Sequence, residues 1–147
     1  MFFKTDLGDE RGDIIMRQII IALAIVVAVG FLLADGGIII WGRLSTAQSA
    51  EDIAAQVAFE YKLSNNEDQA REVAADKMRL MDFSDQEITE SVVQFLPEGN
   101  VPKETVRVIL VKYINTLFTR HIGPLKKFSK VTSTSDANIA EATQSGK

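Results

Sequence analysis

Between Ile19 and Trp41 the chain reads IIIALAIVVAVGFLLADGGIIIW. From Ile19 to Ala34 no side chain carries a charge or a strong hydrogen-bonding group, and past Asp35-Gly36-Gly37 the apolar run resumes at Ile38. As a helix rising ~1.5 Å per residue, the stretch reaches about 35 Å, enough to cross a hydrocarbon core of about 30 Å with some tilt. The reading is a membrane anchor with Ile19, Leu23, Val27, Phe31 and Ile38 toward lipid, Trp41 at the interface and Arg43 beyond it to reach headgroups. A cleaved secretory signal also sets basic residues ahead of an apolar run. Here the run is longer than such a segment, and no small-x-small site leads into a polar mature start. A buried helix in a soluble domain is disfavoured, because the remaining ~100 residues offer too little apolar surface to wrap it on every face.

The flanks give a direction. Lys4, Arg11 and Arg17 precede the run, whereas Arg43 alone follows within about 20 residues, which predicts a cytoplasmic N-terminus and an extracytoplasmic C-terminal part. The predicted organisation is a polar leader over 1–13, a transmembrane helix over 14–41, a small α+β domain over 42–135 and a disordered tail over 136–147. Asp13 is placed to cap the helix start.

Composition narrows the function classes. A net charge of −4 gives nucleic-acid binding no electrostatic support. The absence of cysteine removes disulfides, thiolate metal sites and a cysteine nucleophile, and a single histidine, His121, removes multi-histidine metal sites. The chain has no phosphate-cradling glycine loop, zinc-helix motif or nucleophile elbow. His121 reads as a packing or surface residue, and no cofactor and no enzymatic role are expected.

Beyond Trp41 the helical pattern continues. Leu44, Ala47, Ala50, Ile53, Ala54, Val57, Ala58 and Tyr61 recur at three and four, which predicts one rod from about Ile14 to Leu63, ended by Ser64-Asn65-Asn66. Its alanine-rich stripe suits close approach to a sheet or to another helix. A second helix is expected over Glu67–Met81, with Ala70, Val73, Ala74, Met78, Leu80 and Met81 on its apolar face. Strands are expected through Ile88–Phe95, over Thr105–Tyr113 and over Lys127–Ser135, with Leu117, Phe118 and Ile122 as apolar plugs between the last two. Asp35 has two readings: a side chain reached by water or headgroups, or one that pairs with a neighbouring helix beside Gly36-Gly37. Arg120, Lys126, Lys127 and Lys130 form a basic loop, read either as a solvated edge or as the anionic-polymer surface of a membrane-anchored extracytoplasmic binding module or sensor for cell-envelope material.

Glu10-Arg11-Gly12, Asp35-Gly36-Gly37, the segment Gln48 to Ala58, Val106-Arg107-Val108 followed by Leu117-Phe118, and Ser135-Asp136-Ala137 stand in this order along the chain. Together they resemble the TadE/TadG-like pseudopilins of the tight-adherence (Flp) pilus system, over about residues 10–137. The resemblance implies a pilin-like α+β fold and a structural role as a minor pseudopilin or assembly component. It also implies partners among membrane lipid and other pilin-like subunits, in a homo- or hetero-oligomer. On it, Asp35, Gly36, Gly37, Ala47, Ala50, Ala54 and Ala58 are candidate subunit contacts. Gly12, Asp13 and Arg17 mark a candidate processing site: cleavage after Gly12 makes Asp13 first and Arg17 fifth, where processed pilins usually carry glutamate. A positive charge does not replace that carboxylate, so the resemblance leaves two outcomes open, cleavage after Gly12 and an uncleaved, membrane-retained assembly component.

Overall fold

The computed structural model describes residues 7–117, 123, 124 and 129–143, with side chains from Ile14 onward. The fold is α+β. A long helix, α1 (Leu7–Ser64), is followed by α2 (Glu67–Leu80), α3 (Asp85–Glu90) and the strands β1 (Val92–Leu96), β2 (Thr105–Tyr113) and β3 (Lys130–Asn138). The three strands form an antiparallel sheet in the order β1-β2-β3. At ~1.5 Å per residue, the 58 residues of α1 extend about 87 Å.

Helix α1 contains no proline and runs unbroken from the leader into the domain. The leader is thus helical from Leu7, and Asp13 lies inside the helix rather than at its cap, a correction to the expected start. The other end follows the turn chemistry of the sequence. Asn65 takes a left-handed φ of 50° and its N–H donates to the Tyr61 carbonyl at 2.8 Å. Asn66 then opens α2, its Oδ1 accepting from the N–H groups of Asp68 and Gln69.

The core lies between the sheet and two helices. Ala50, Ile53, Ala54, Val57 and Ala58 of α1 and Ala70, Ala74 and Met78 of α2 pack with Phe95, Val106, Val108 and Leu110, closed by Phe83, Ile139 and Ala142. Across β3 the residues on this face are small: Ala137 pairs with Val106, Ser135 with Val108 and Ser133 with Leu110. Small side chains on α1 and β3 allow the helix and the strand to approach closely. The opposite face carries the directly paired Arg107 and Asp136, joined by two hydrogen bonds of 2.8 Å.

Four expectations are corrected. Residues 85–90 form a helix rather than the start of a strand: Ser84 and Glu87 make a reciprocal capping box that outweighs the β-branched residues nearby. That helix does the work of a longer β1. Beyond Val92 the free N–H groups of β2 are taken by side chains, Val111 donating to Ser91 Oγ at 3.0 Å and Tyr113 to Glu87 Oε1 at 2.6 Å. Leu80 is exposed and is removed from the apolar face of α2; Ala70, Ala74 and Met78 are buried there, and Met81 packs against the same core. The third strand starts at Lys130 and runs to Asn138, and Ile139 and Ala142 enter the core, so the chain is ordered well past Ser135 and the expected tail over 136–147 is wrong for Asp136–Thr143. Residues 144–147, Phe118, Ile122 and His121 lie outside the described residues.

Candidate membrane span and its junction with the domain

From Ile14 to Ala34 every residue of α1 is exposed, and apart from Arg17 and Gln18 none is polar. Apolar side chains face every direction around the helix, the pattern of a segment whose surroundings are themselves apolar. Among the described residues, α1 is the helix long and apolar enough to cross a membrane. Ile19, Leu23, Val27 and Phe31 all lie on this bare surface. Measured from Ile14 to Ala34, it extends about 32 Å, close to the ~30 Å of a hydrocarbon core.

Burial begins abruptly at Asp35, which is 2 % exposed. Its Oδ1 accepts the N–H of Leu117 at 2.8 Å, a bond between residues 82 apart in sequence. The segment that makes it leaves the end of β2 and runs down α1. The Ile114 N–H donates to Ser129 O at 2.7 Å, and its side chain fills the space where a Cβ on Gly42 would stand, with Cγ1 at 2.8 Å from that point. Gly42 is therefore required by close approach. Ile114 lies against Gly42 and Leu117 bonds Asp35, seven residues or about two helical turns lower, so the segment, bent where the Thr116 N–H donates to the Ile114 carbonyl at 3.0 Å, straps α1 over those turns. Thr46, fully buried one turn beyond Gly42, returns its hydroxyl to the Gly42 carbonyl at 2.7 Å, and Thr116, within the strap, is buried. Asp35, Gly42, Thr46, Ala50, Ile53 and Val57 thus form one stripe, and the folded domain starts at Asp35 rather than at residue 42.

The remaining predicted residues divide around this stripe. Ala50, Ala54 and Ala58 are fully buried in the chain's own core, and Asp35 bonds within its own chain, so these four are corrected from subunit contacts to internal packing and positioning residues. Ala47 is exposed, and a Cβ added at Gly36 or Gly37 would meet nothing within 4 Å. Ile38 is half-buried against the domain, whereas Ile40, Trp41 and Leu44 are exposed. Arg17 is exposed, and the side chains of Gly12 and Asp13 fall outside the described ones. Comparison with family models, with curated proteins and with solved structures found no match.

Two carboxyl groups at the sheet, those of Glu90 and Asp136, are held below their ordinary range. Lys130, expected in a basic loop, instead pairs with Glu90 at 2.7 Å, and Tyr113 donates to the same carboxylate; Arg120, Lys126 and Lys127 lie outside the described residues. The hydrogen bond from Lys130, with those from Gln86 and Tyr113, holds the Glu90 carboxyl down at about 2. Arg107 likewise lowers the Asp136 carboxyl by hydrogen bonding to it. A cleft of about 480 Å³ lies along the outer edge of β1, and there Lys103 reaches the carbonyls of Pro97 and Gly99 at 3.0 and 2.6 Å and Glu67 at 3.6 Å. The ammonium is used to hold the β1–β2 loop, so this group is structural.

The upper part of the stripe, Ala50, Ile53 and Val57, belongs to the repeat read from the sequence; the lower part is corrected, since Leu44 and Ala47 are exposed and Thr46, Gly42 and Asp35 take the packed side instead. What the repeat lacked was the partner, since Ile114 and Leu117 carry no local signal that they return to α1.

Proposed function

We propose that this chain is a non-enzymatic, single-pass membrane subunit of a Tad/Flp-type pilus machine, acting as a minor pseudopilin or assembly component. The observation that carries the reading is the division of one uninterrupted helix: bare and apolar over Ile14–Ala34, packed by a small α+β domain from Asp35 to Ser64. That arrangement suits a subunit held in the bilayer by its lower half while its domain stands directly above, with the N-terminus cytoplasmic and the domain extracytoplasmic. Lipid and the helices of other pilin-like subunits are the partners for the bare half, to which Gly36, Gly37 and the exposed Ala47 add surface that the chain's own fold does not use.

The test uses the full-length chain in its host membrane. The chain has no cysteine, so Thr5→Cys and Glu98→Cys give single labelling sites. A membrane-impermeant maleimide applied to intact cells is expected to label Glu98→Cys and to spare Thr5→Cys until the cells are opened. Deleting the protein is expected to abolish surface fibres. Recovery of the chain in the soluble fraction, or the reverse labelling, refutes the anchor and topology; undiminished fibres in the deletion strain refute the pilus role.

A further inference from the structure

We propose that the strap Ile114–Leu117 is a second membrane contact, a foot that rests in the lipid interface of the same bilayer that α1 spans. The inference rests on the membrane reading above and adds the depth at which the domain sits. Placing the outer edge of the hydrocarbon at Trp41 puts Asp35, the Leu117 N–H and the non-helical backbone of residues 115–117 about 9 Å inside it. Irregular backbone facing lipid is not tolerated at that depth. Placing the edge at Asp35 removes the conflict, and the bare segment Ile14–Ala34 then matches the hydrocarbon thickness. Trp41 moves about 9 Å outward, into the headgroup layer where indole is favoured.

With the boundary at Asp35, Leu117 stands at the same level, because its N–H is bonded to the Asp35 carboxylate. Its side chain is 58 % exposed although Thr116 beside it is buried. Ile40, Trp41 and Leu44 are exposed too, and the repeat of about 3.6 residues sets them on the side of α1 opposite Asp35. Among the described residues, exposed apolar side chains therefore stand on both sides of the junction, Leu117 on the strap side beside the exposed Asn115, and Ile40, Trp41 and Leu44 opposite. The occupant that fits is the boundary between headgroups and acyl chains. A single helix leaves the rotation and tilt of its domain open; a foot on one side selects them.

Trp41 is the sole tryptophan, so depth is measurable with single-tryptophan variants of the full-length chain in phosphatidylcholine vesicles. In a Trp41→Phe background, Leu117→Trp is compared with Val27→Trp in the anchor and Glu98→Trp at the far end of the domain. The quenchers are lipids brominated near the headgroup end or near the terminal methyl. Leu117→Trp is expected to lose roughly half of its emission to the shallow bromines, less to the deep ones, and Glu98→Trp to lose little to either. Quenching of Val27→Trp together with Leu117→Trp behaving like Glu98→Trp overturns the foot and leaves the anchor standing. An unquenched Val27→Trp overturns the anchor itself. A nitroxide on Leu117→Cys, read by oxygen against nickel accessibility, gives the same decision should the indole disturb the strap: higher oxygen accessibility supports the foot, higher nickel accessibility refutes it.

Discussion

Replacing Asp35 with alanine removes the acceptor that holds the Leu117 N–H at 2.8 Å in a site 2 % exposed. A hydrogen bond to a charged partner contributes about 1.5–3 kcal/mol, and leaving a buried donor unpaired costs about as much. The loss falls on the strap first, because the main core from Ala50 upward does not involve this residue. With about 1.4 kcal/mol per decade, local opening of the strap becomes about 10- to 150-fold more frequent. Amide hydrogen exchange on the full-length chain in detergent micelles reads this directly: the Leu117 amide should lose protection by that factor while Val108, in the centre of β2, keeps its own. Asp35→Asn retains an acceptor oxygen and should lose less. Unchanged exchange at Leu117 in Asp35→Ala, or an equal loss at Leu117 and Val108, refutes the assignment of Asp35 as the residue that locks the strap to the anchor.

Gly42→Val should destabilise the chain by about 1–3 kcal/mol, since the new side chain enters the space held by Ile114. Ile114→Ala in the same chain should recover part of that loss, and strictly additive midpoints in a denaturant titration of the double-mutant cycle count against the contact. The third prediction concerns pH. Glu90 is lowered from 4.5 to about 2 in the folded chain, so its contribution is present above 4.5 and is lost as the pH falls toward about 2. The difference in thermal midpoint between the native chain and Glu90→Gln should shrink over that window and with added salt, and a difference that grows on acidification contradicts the Lys130–Glu90 assignment.

Much of this architecture could be read from residue order, and the misses have identifiable physical causes. The long helix follows from apolar and small residues at helical spacing with no proline, and β2 falls on the predicted Thr105–Tyr113 because the run is rich in β-branched residues and sets Val106, Val108 and Leu110 on one face. The turn at Asn65 and Asn66 follows from the left-handed tolerance and capping ability of asparagine. Ile88, Val92 and Val93 are β-branched and favour a strand, whereas α3 rests on the short Ser84–Glu87 capping spacing, a weaker signal in sequence. The end of β3 was hidden by polar residues, since Ser133, Ser135 and Ala137 meet an alanine-rich helix and need no bulk to pack. The alanines of α1 signal close approach but not by what, which is why Ala50, Ala54 and Ala58 suit a neighbouring subunit in sequence and face the chain's own sheet in the structure. Asp35 is the extreme case. A carboxylate near a membrane boundary needs a partner, and nothing near it in sequence identifies the Leu117 backbone as that partner.

The unbroken course of α1 from its bare half into the domain has a mechanical consequence. Gly42, Asp35 and the alanine stripe fasten the domain to the shaft along its upper half, and the lower half is the same shaft, with no linker between them to absorb motion. A push, pull or twist applied to the buried end therefore reaches the sheet as a rigid displacement, at a ratio set by the lengths of the two arms. On the proposed membrane reading, such a chain works as a strut under load, and a partner that moved its lower half within the bilayer would move the whole domain with it.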